Sequence, residues 1–221
     1  MGAVIGQILG NAVGVAISPI PIIAVILMLF SRSAMRNSVM FALGWVTGLA
    51  GTGLIVLAIG VDSSDGGESD AGGFVKIVLG ALFLFLAVQQ WRHRPVGDAA
   101  PTMPRWMSAI DSLSAVKAVG LGLVLTVANP KNLGLTIAAA STISGSGIEN
   151  GEQVVTMMVF VLIASLTILA PVATFLIARD RATPVLEVAK GWLLANNSTV
   201  MAVLLFVLGA KVLGDGISIV A

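Results

Sequence analysis

Six apolar runs, each long enough to cross a bilayer as a helix, leave this chain few ways to fold. They cover about Ala3–Phe30, Ser38–Val61, Phe74–Trp91, Val116–Ser141, Val154–Ile177 and Trp192–Leu213. A spanning helix needs roughly 20 apolar residues. Apolar residues make up 57% of the 221, charged residues only 10%, and mean hydropathy is +1.02. Soluble domains carry about 25% charged residues, so a cytoplasmic enzyme, a nucleic-acid binder and a disordered chain are excluded. A net charge of +1 offers no field to attract nucleic acid. There is no Cys and one His, which excludes disulfides, iron–sulfur clusters, thiolate zinc sites and multi-histidine metal sites. The first run does not read as a signal peptide: it has no basic leading segment, is too long, and no small-residue cleavage site follows it cleanly.

The gaps between runs alternate in charge. Arg32 and Arg36 fill the first, and Asp62, Asp65, Glu68 and Asp70 the second. The third holds Arg92, Arg94 and Arg105, with Lys117 just beyond; the fourth holds Glu149 and Glu152; the fifth holds Arg179, Arg181 and Lys190. Basic loops stay in the cytoplasm, so both termini are expected outside a bacterial inner membrane that the chain crosses several times. Trp91, Trp106 and Trp192 fall at the cytoplasmic boundary, where indole rings favour the interface. In the long third gap, Pro104, Trp106, Met107, Ile110 and Leu113 have the spacing of a short amphipathic helix lying on the inner leaflet.

That gap divides the chain into residues 1–91, a linker at 92–115, and residues 116–221. Each outer part holds three runs, and an odd number of spans forces the second part to insert upside down relative to the first. The expected fold is therefore an all-α integral membrane protein of six transmembrane helices, built as two inverted three-helix repeats. The first run of each repeat is broken by proline: Ser18-Pro19-Ile20-Pro21 in one, Asn129-Pro130-Lys131-Asn132 in the other. Proline cannot continue a helix and pushes the residue before it out of helical geometry. Ser or Asn followed by Pro also marks a new helix start. Helices are thus expected to restart at about Pro19–Phe30 and Pro130–Ser141, their N-termini meeting near the membrane centre. Helix N-termini attract anions, and Lys131 adds a full charge. An anion-recognising site is expected there, lined by Lys131, Asn129, Pro130, Asn132, Ser18 and Pro19. Gln7 and Asn11, on the face of Ser18, are further candidate lining residues. The plainer alternative for Lys131 is a structural hydrogen bond to carbonyls freed at a break.

Glycines 44, 48, 51 and 53 in the second run read as helix-packing positions. No Asp or Glu lies within a run, so no proton relay is legible. No phosphate-binding loop is present. Neither a cofactor nor a metal is expected, and no catalytic residue: His93, Asp98 and Asp111 match no catalytic spacing.

Ser18-Pro19, the apolar run after it and Arg32/Arg36 resemble the opening of the LysE exporter superfamily. The block Pro104, Trp106, Asp111, Leu113-Ser114, Lys117-Ala118, Gly120 and Asn129-Pro130-Lys131-Asn132-Leu133 resembles the GAP-like, or sulfolipid-addressing, family of mycobacteria and relatives. The resemblance covers nearly the whole chain and implies a transporter or exporter of an envelope lipid or glycolipid. It carries over Pro19, Asn129, Pro130, Lys131 and Asn132 as central positions. Amino-acid and ion exporters of the wider superfamily, and a non-transporting accessory subunit, are the alternatives. The lipid itself is the implied substrate; a lipid-export machine and a second copy of the chain are left open as protein partners.

Overall fold

The computed structural model describes residues 1–60, 70–94, 110 and 113–220. Among the described residues all regular structure is helical. Helix α1 (Gly2–Ala16) stops where the chain meets Ser18-Pro19. Pro19 has no N–H and forces Ser18 into an extended backbone, φ −122° and ψ 93°. Helix α2 (Pro19–Leu29) restarts at once, bent by 56° from α1. Helix α3 (Ala34–Ile59) ends on Gly60, whose φ of 68° is left-handed and suits glycine. Helix α4 is Asp70–Arg92. The second proline break separates α5 (Ala115–Val127) from α6 (Pro130–Ser144), with Asn129 at φ −85° and ψ 111°. Helices α7 (Asn150–Arg179) and α8 (Arg181–Val220) meet at Ala178, whose φ of −139° and ψ of 52° are not helical. The order of broken pair, long helix and further helix thus occurs twice.

Helices α3, α7 and α8 are long and apolar enough to cross a membrane, and α1 with α2 makes a fourth candidate span. Ile77–Arg92 within α4, and α5, are shorter apolar helices. The basic stretch 178–191, expected as a gap, is helical apart from Ala178. Pro184 is the only proline in it, and it sits near the start of α8, where little helix precedes it for its ring to disturb. The expected amphipathic helix around Pro104, Trp106 and Met107 lies outside the described residues, as do Asp62, Asp65, Glu68, Asp98, Arg105 and Asp111.

The chain forms two compact units, Met1–Val61 with Met103–Gly191, and Asp62–Thr102 with Trp192–Ala221. In the first unit α3 and α5 run parallel and touch through glycine. Gly44 faces the Val119 carbonyl, Gly48 the Thr126 hydroxyl, and Gly122 the Phe41 carbonyl. A Cβ at any of the three would overlap those atoms, so a small-residue seam sets the approach of the two backbones. Gly53 makes room in the same way for Met157 of α7. Around this seam Phe41, Trp45, Leu49, Ile23, Ile26 and Phe160 are fully buried. In the second unit α4 runs antiparallel to the last part of α8, with Gly80 against Leu213 and Gly209 against Leu84. Phe85 and Phe206 of this unit, and Ile55 and Ile59 of α3, point outward, Ile59 with 69% of its surface exposed. An apolar exterior on helices of this length suits hydrocarbon and not water.

Candidate functional site

The two breaks touch. Lys131 and Asn132 belong to the first turn of α6, and both are buried. The Lys131 ammonium donates to the Gly14 carbonyl at 2.5 Å, the Ile17 carbonyl at 3.2 Å and the Ser18 hydroxyl at 2.9 Å. All three acceptors lie at the end of α1 or in the break after it. A helix C-terminus leaves carbonyls without intrahelical partners and carries about half a negative charge. Lys131 therefore closes the end of α1 with a full positive charge.

Asn132 performs the matching task for α5. Its Nδ2 donates to the Leu125 carbonyl at 3.1 Å, which the second break would otherwise leave open. Its Oδ1 faces the Ser18 hydroxyl at 3.0 Å. That hydroxyl also lies 2.7 Å from the Val15 carbonyl, so one proton serves two acceptors while the oxygen accepts from Lys131. Ser18 occupies the cap position of α2 but makes no capping bond with its side chain. Pro21 removes one of the two N–H groups a cap could serve, and the hydroxyl turns back to α1 instead. Asn129 does cap α6, accepting from the Lys131 backbone N–H at 3.1 Å.

Six of the eight residues singled out in the sequence, Ser18, Pro19, Asn129, Pro130, Lys131 and Asn132, thus build one junction. Gln7 is exposed and Asn11 half-buried, and no hydrogen bond joins either to it among the described residues. The plainer reading of Lys131, a bond to freed carbonyls, describes its geometry: every ammonium proton has a partner. Counting only the two positive N-termini left out the negative C-terminus of α1, which ends at the same place. A further member is Thr167 of α7, which donates to the Ala16 carbonyl at 2.7 Å. Its signal in sequence was a hydroxyl in mid-run, a common feature in membrane helices. Trp91 and Trp192 are both about half exposed, and Arg94 stacks on the Trp91 ring at 3.9 Å.

Apolar helices with an outward apolar surface, two of them broken and cross-linked through a buried lysine, define an all-helical membrane protein. The chain belongs to a family described as Sap, the sulfolipid-1-addressing protein, which matches residues 8–218. Membership ties the chain to the handling of sulfolipid or related envelope lipid. Among curated proteins and among solved structures, none matches the chain.

Proposed function

We propose that this chain is an inner-membrane transporter of an anionic envelope lipid, and that the Lys131 junction is the clasp its cargo opens. The observation that carries the reading is the bond set from Lys131 to Gly14, Ile17 and Ser18. It is the sole full charge in a contact between two helix breaks, and its partner is a helix end worth about half a charge. A sulfate or phosphate ester brings a full negative charge and several acceptor oxygens. Such a head group competes well for the ammonium. Once Lys131 turns to the head group, the end of α1 and the break after it lose three bonds to α6, and the broken halves are held less firmly. Departure of the head group returns Lys131 to the carbonyls and resets the clasp. Alternating exposure about paired discontinuous helices is a plan many carriers share. The doubled element order fits six spans in two inverted repeats, and the alternating charges fit both termini outside.

The test is purified protein in liposomes holding a fluorescent sulfated glycolipid, with a membrane-impermeant quencher reporting its leaflet. Protein-dependent movement that is faster for the sulfated than for the desulfated lipid is the expected result. No movement of either lipid would instead assign the chain an accessory role. Movement of free amino acids but not of lipid would favour a small-solute exporter.

A further inference from the structure

A second cationic site lies in the first unit, at the turn between α2 and α3. A cleft of about 380 Å³ is lined by Arg32, Ser33, Met35 and Arg36 on one side and by Phe175, Leu176 and Arg179 of α7 on the other. It gathers three arginines, and among the described residues no acidic side chain lines it. Their guanidinium groups are little used. Arg36 reaches Asn37 and Ser33 at 3.4 Å each, both long for hydrogen bonds. Arg179 sits over the Phe175 ring at 5.3 Å, and Arg32 has no hydrogen-bond partner among the described residues. Beside these charges the surface is apolar: Met35 and Leu176 are exposed, and Ile177 next to the cleft is 86% exposed. Three arginines with no ion pair among the described residues call for an anion with several acceptor oxygens. The exposed apolar rim calls for hydrocarbon attached to it, which free phosphate or sulfate lacks.

We infer that this cleft holds the phosphate or sulfate ester head of a membrane lipid, with the acyl chains lying over Met35, Leu176 and Ile177. The inference rests on the cleft alone and stands whether or not the Lys131 junction moves cargo. It is tested by native mass spectrometry of the full chain in neutral detergent, titrated with phosphatidylglycerol or phosphatidylcholine. The wild-type chain retains phosphatidylglycerol in preference to phosphatidylcholine. Each arginine of the cleft contributes about a fivefold preference for an anionic lipid head, so R32Q/R36Q/R179Q binds phosphatidylglycerol roughly a hundredfold more weakly. The charge-matched R92Q/R94Q/K211Q variant, altered in the second unit, binds as the wild type does. Inorganic phosphate at millimolar concentration leaves the lipid bound. The inference is overturned by equal retention of both lipids, by equal binding in the first variant, by equal loss in the second, or by displacement with inorganic phosphate. All three substituted arginines in the cleft are exposed, so folding of the variant is checked simply by its elution and helical circular dichroism. A chain that binds phosphatidylglycerol at the cleft but moves no glycolipid would overturn the transport reading only.

Discussion

Replacing Lys131 with Met separates a lysine kept for stability from one kept for function. The side chains are similar in length, and Met fills most of the same buried space. The change removes three hydrogen bonds, to Gly14, Ile17 and Ser18. Side-chain hydrogen bonds within membrane proteins average about 0.6 kcal/mol and reach about 1.7 kcal/mol, so the loss is about 2 kcal/mol and at most about 5 kcal/mol. Against it stands the charge itself. A lysine at the centre of a spanning helix costs about 2.5–3.5 kcal/mol, and Met does not incur it. The two terms nearly cancel, and K131M is expected to lie within about 2 kcal/mol of the wild type. The same logic explains why buried ion pairs can often be replaced by apolar groups without loss. Stability is read from reversible unfolding in bicelles, and lipid movement from the quencher assay on the same preparation. The expected pair of results is a small change in unfolding free energy and loss of lipid movement. Unfolding weakened by more than about 5 kcal/mol would exceed what three bonds supply and would make Lys131 a structural keystone. Unchanged lipid movement would remove it from the mechanism.

Three other expectations follow from particular contacts. Gly122→Leu drives a side chain into the Phe41 carbonyl and the Trp45 backbone; overpacking there should cost about 3 kcal/mol or more, visible as loss of folded protein by size-exclusion chromatography. Asn129→Ala removes the 3.1 Å cap on α6 and should cost about 1 kcal/mol in the unfolding assay, slowing lipid movement without abolishing it. The chain has no Cys, so His93→Cys and Glu149→Cys each introduce a single thiol. An impermeant maleimide should label them from opposite faces of the membrane, Glu149→Cys from outside; labelling from the same face would overturn the charge-based orientation.

The breaks were legible in the sequence because proline acts locally. Pro19 and Pro130 set where α2 and α6 begin, whatever surrounds them. The glycine seam was half legible: Gly44 and Gly48 stand one turn apart within a run, but Gly122, which completes the seam from α5, is identified only by the fold. Gln7 and Asn11 share the spacing of Ser18 without sharing its place, because periodicity gives a face and not a depth along the partner helix. Of the acceptors of Lys131, the Ser18 hydroxyl was legible and the particular carbonyls were not. They are backbone carbonyls of residues whose side chains carry no polar group at Gly14 and Ile17, and every residue has a carbonyl. Sequence shows which side chains need partners, whereas the open backbone groups at a helix end become specific only once the fold sets the end of α1 beside α6.

The two breaks are alike in cause and unlike in chemistry. At the second position after the cap, α6 has Lys131 where α2 has Ile20; at the third, α6 has Asn132 where α2 has Pro21. The first turn of α6 therefore supplies the donors for both open helix ends, Lys131 for α1 and Asn132 for α5. The first turn of α2 has no such side chains to give, and Ser18 just before it is shared among Lys131, Asn132 and Val15. A junction with matched donors on both sides would need two groups drawn away before either break could loosen. Here one turn of one helix serves both breaks, so under the proposed clasp a ligand that withdraws Lys131 alone loosens the end of α1, which then keeps the Thr167 bond to the Ala16 carbonyl, while Asn132 keeps α5 closed. The two breaks are paired in the order of the helices but not in their side chains, and under the proposed clasp that asymmetry makes the end of α1 the half a ligand would loosen.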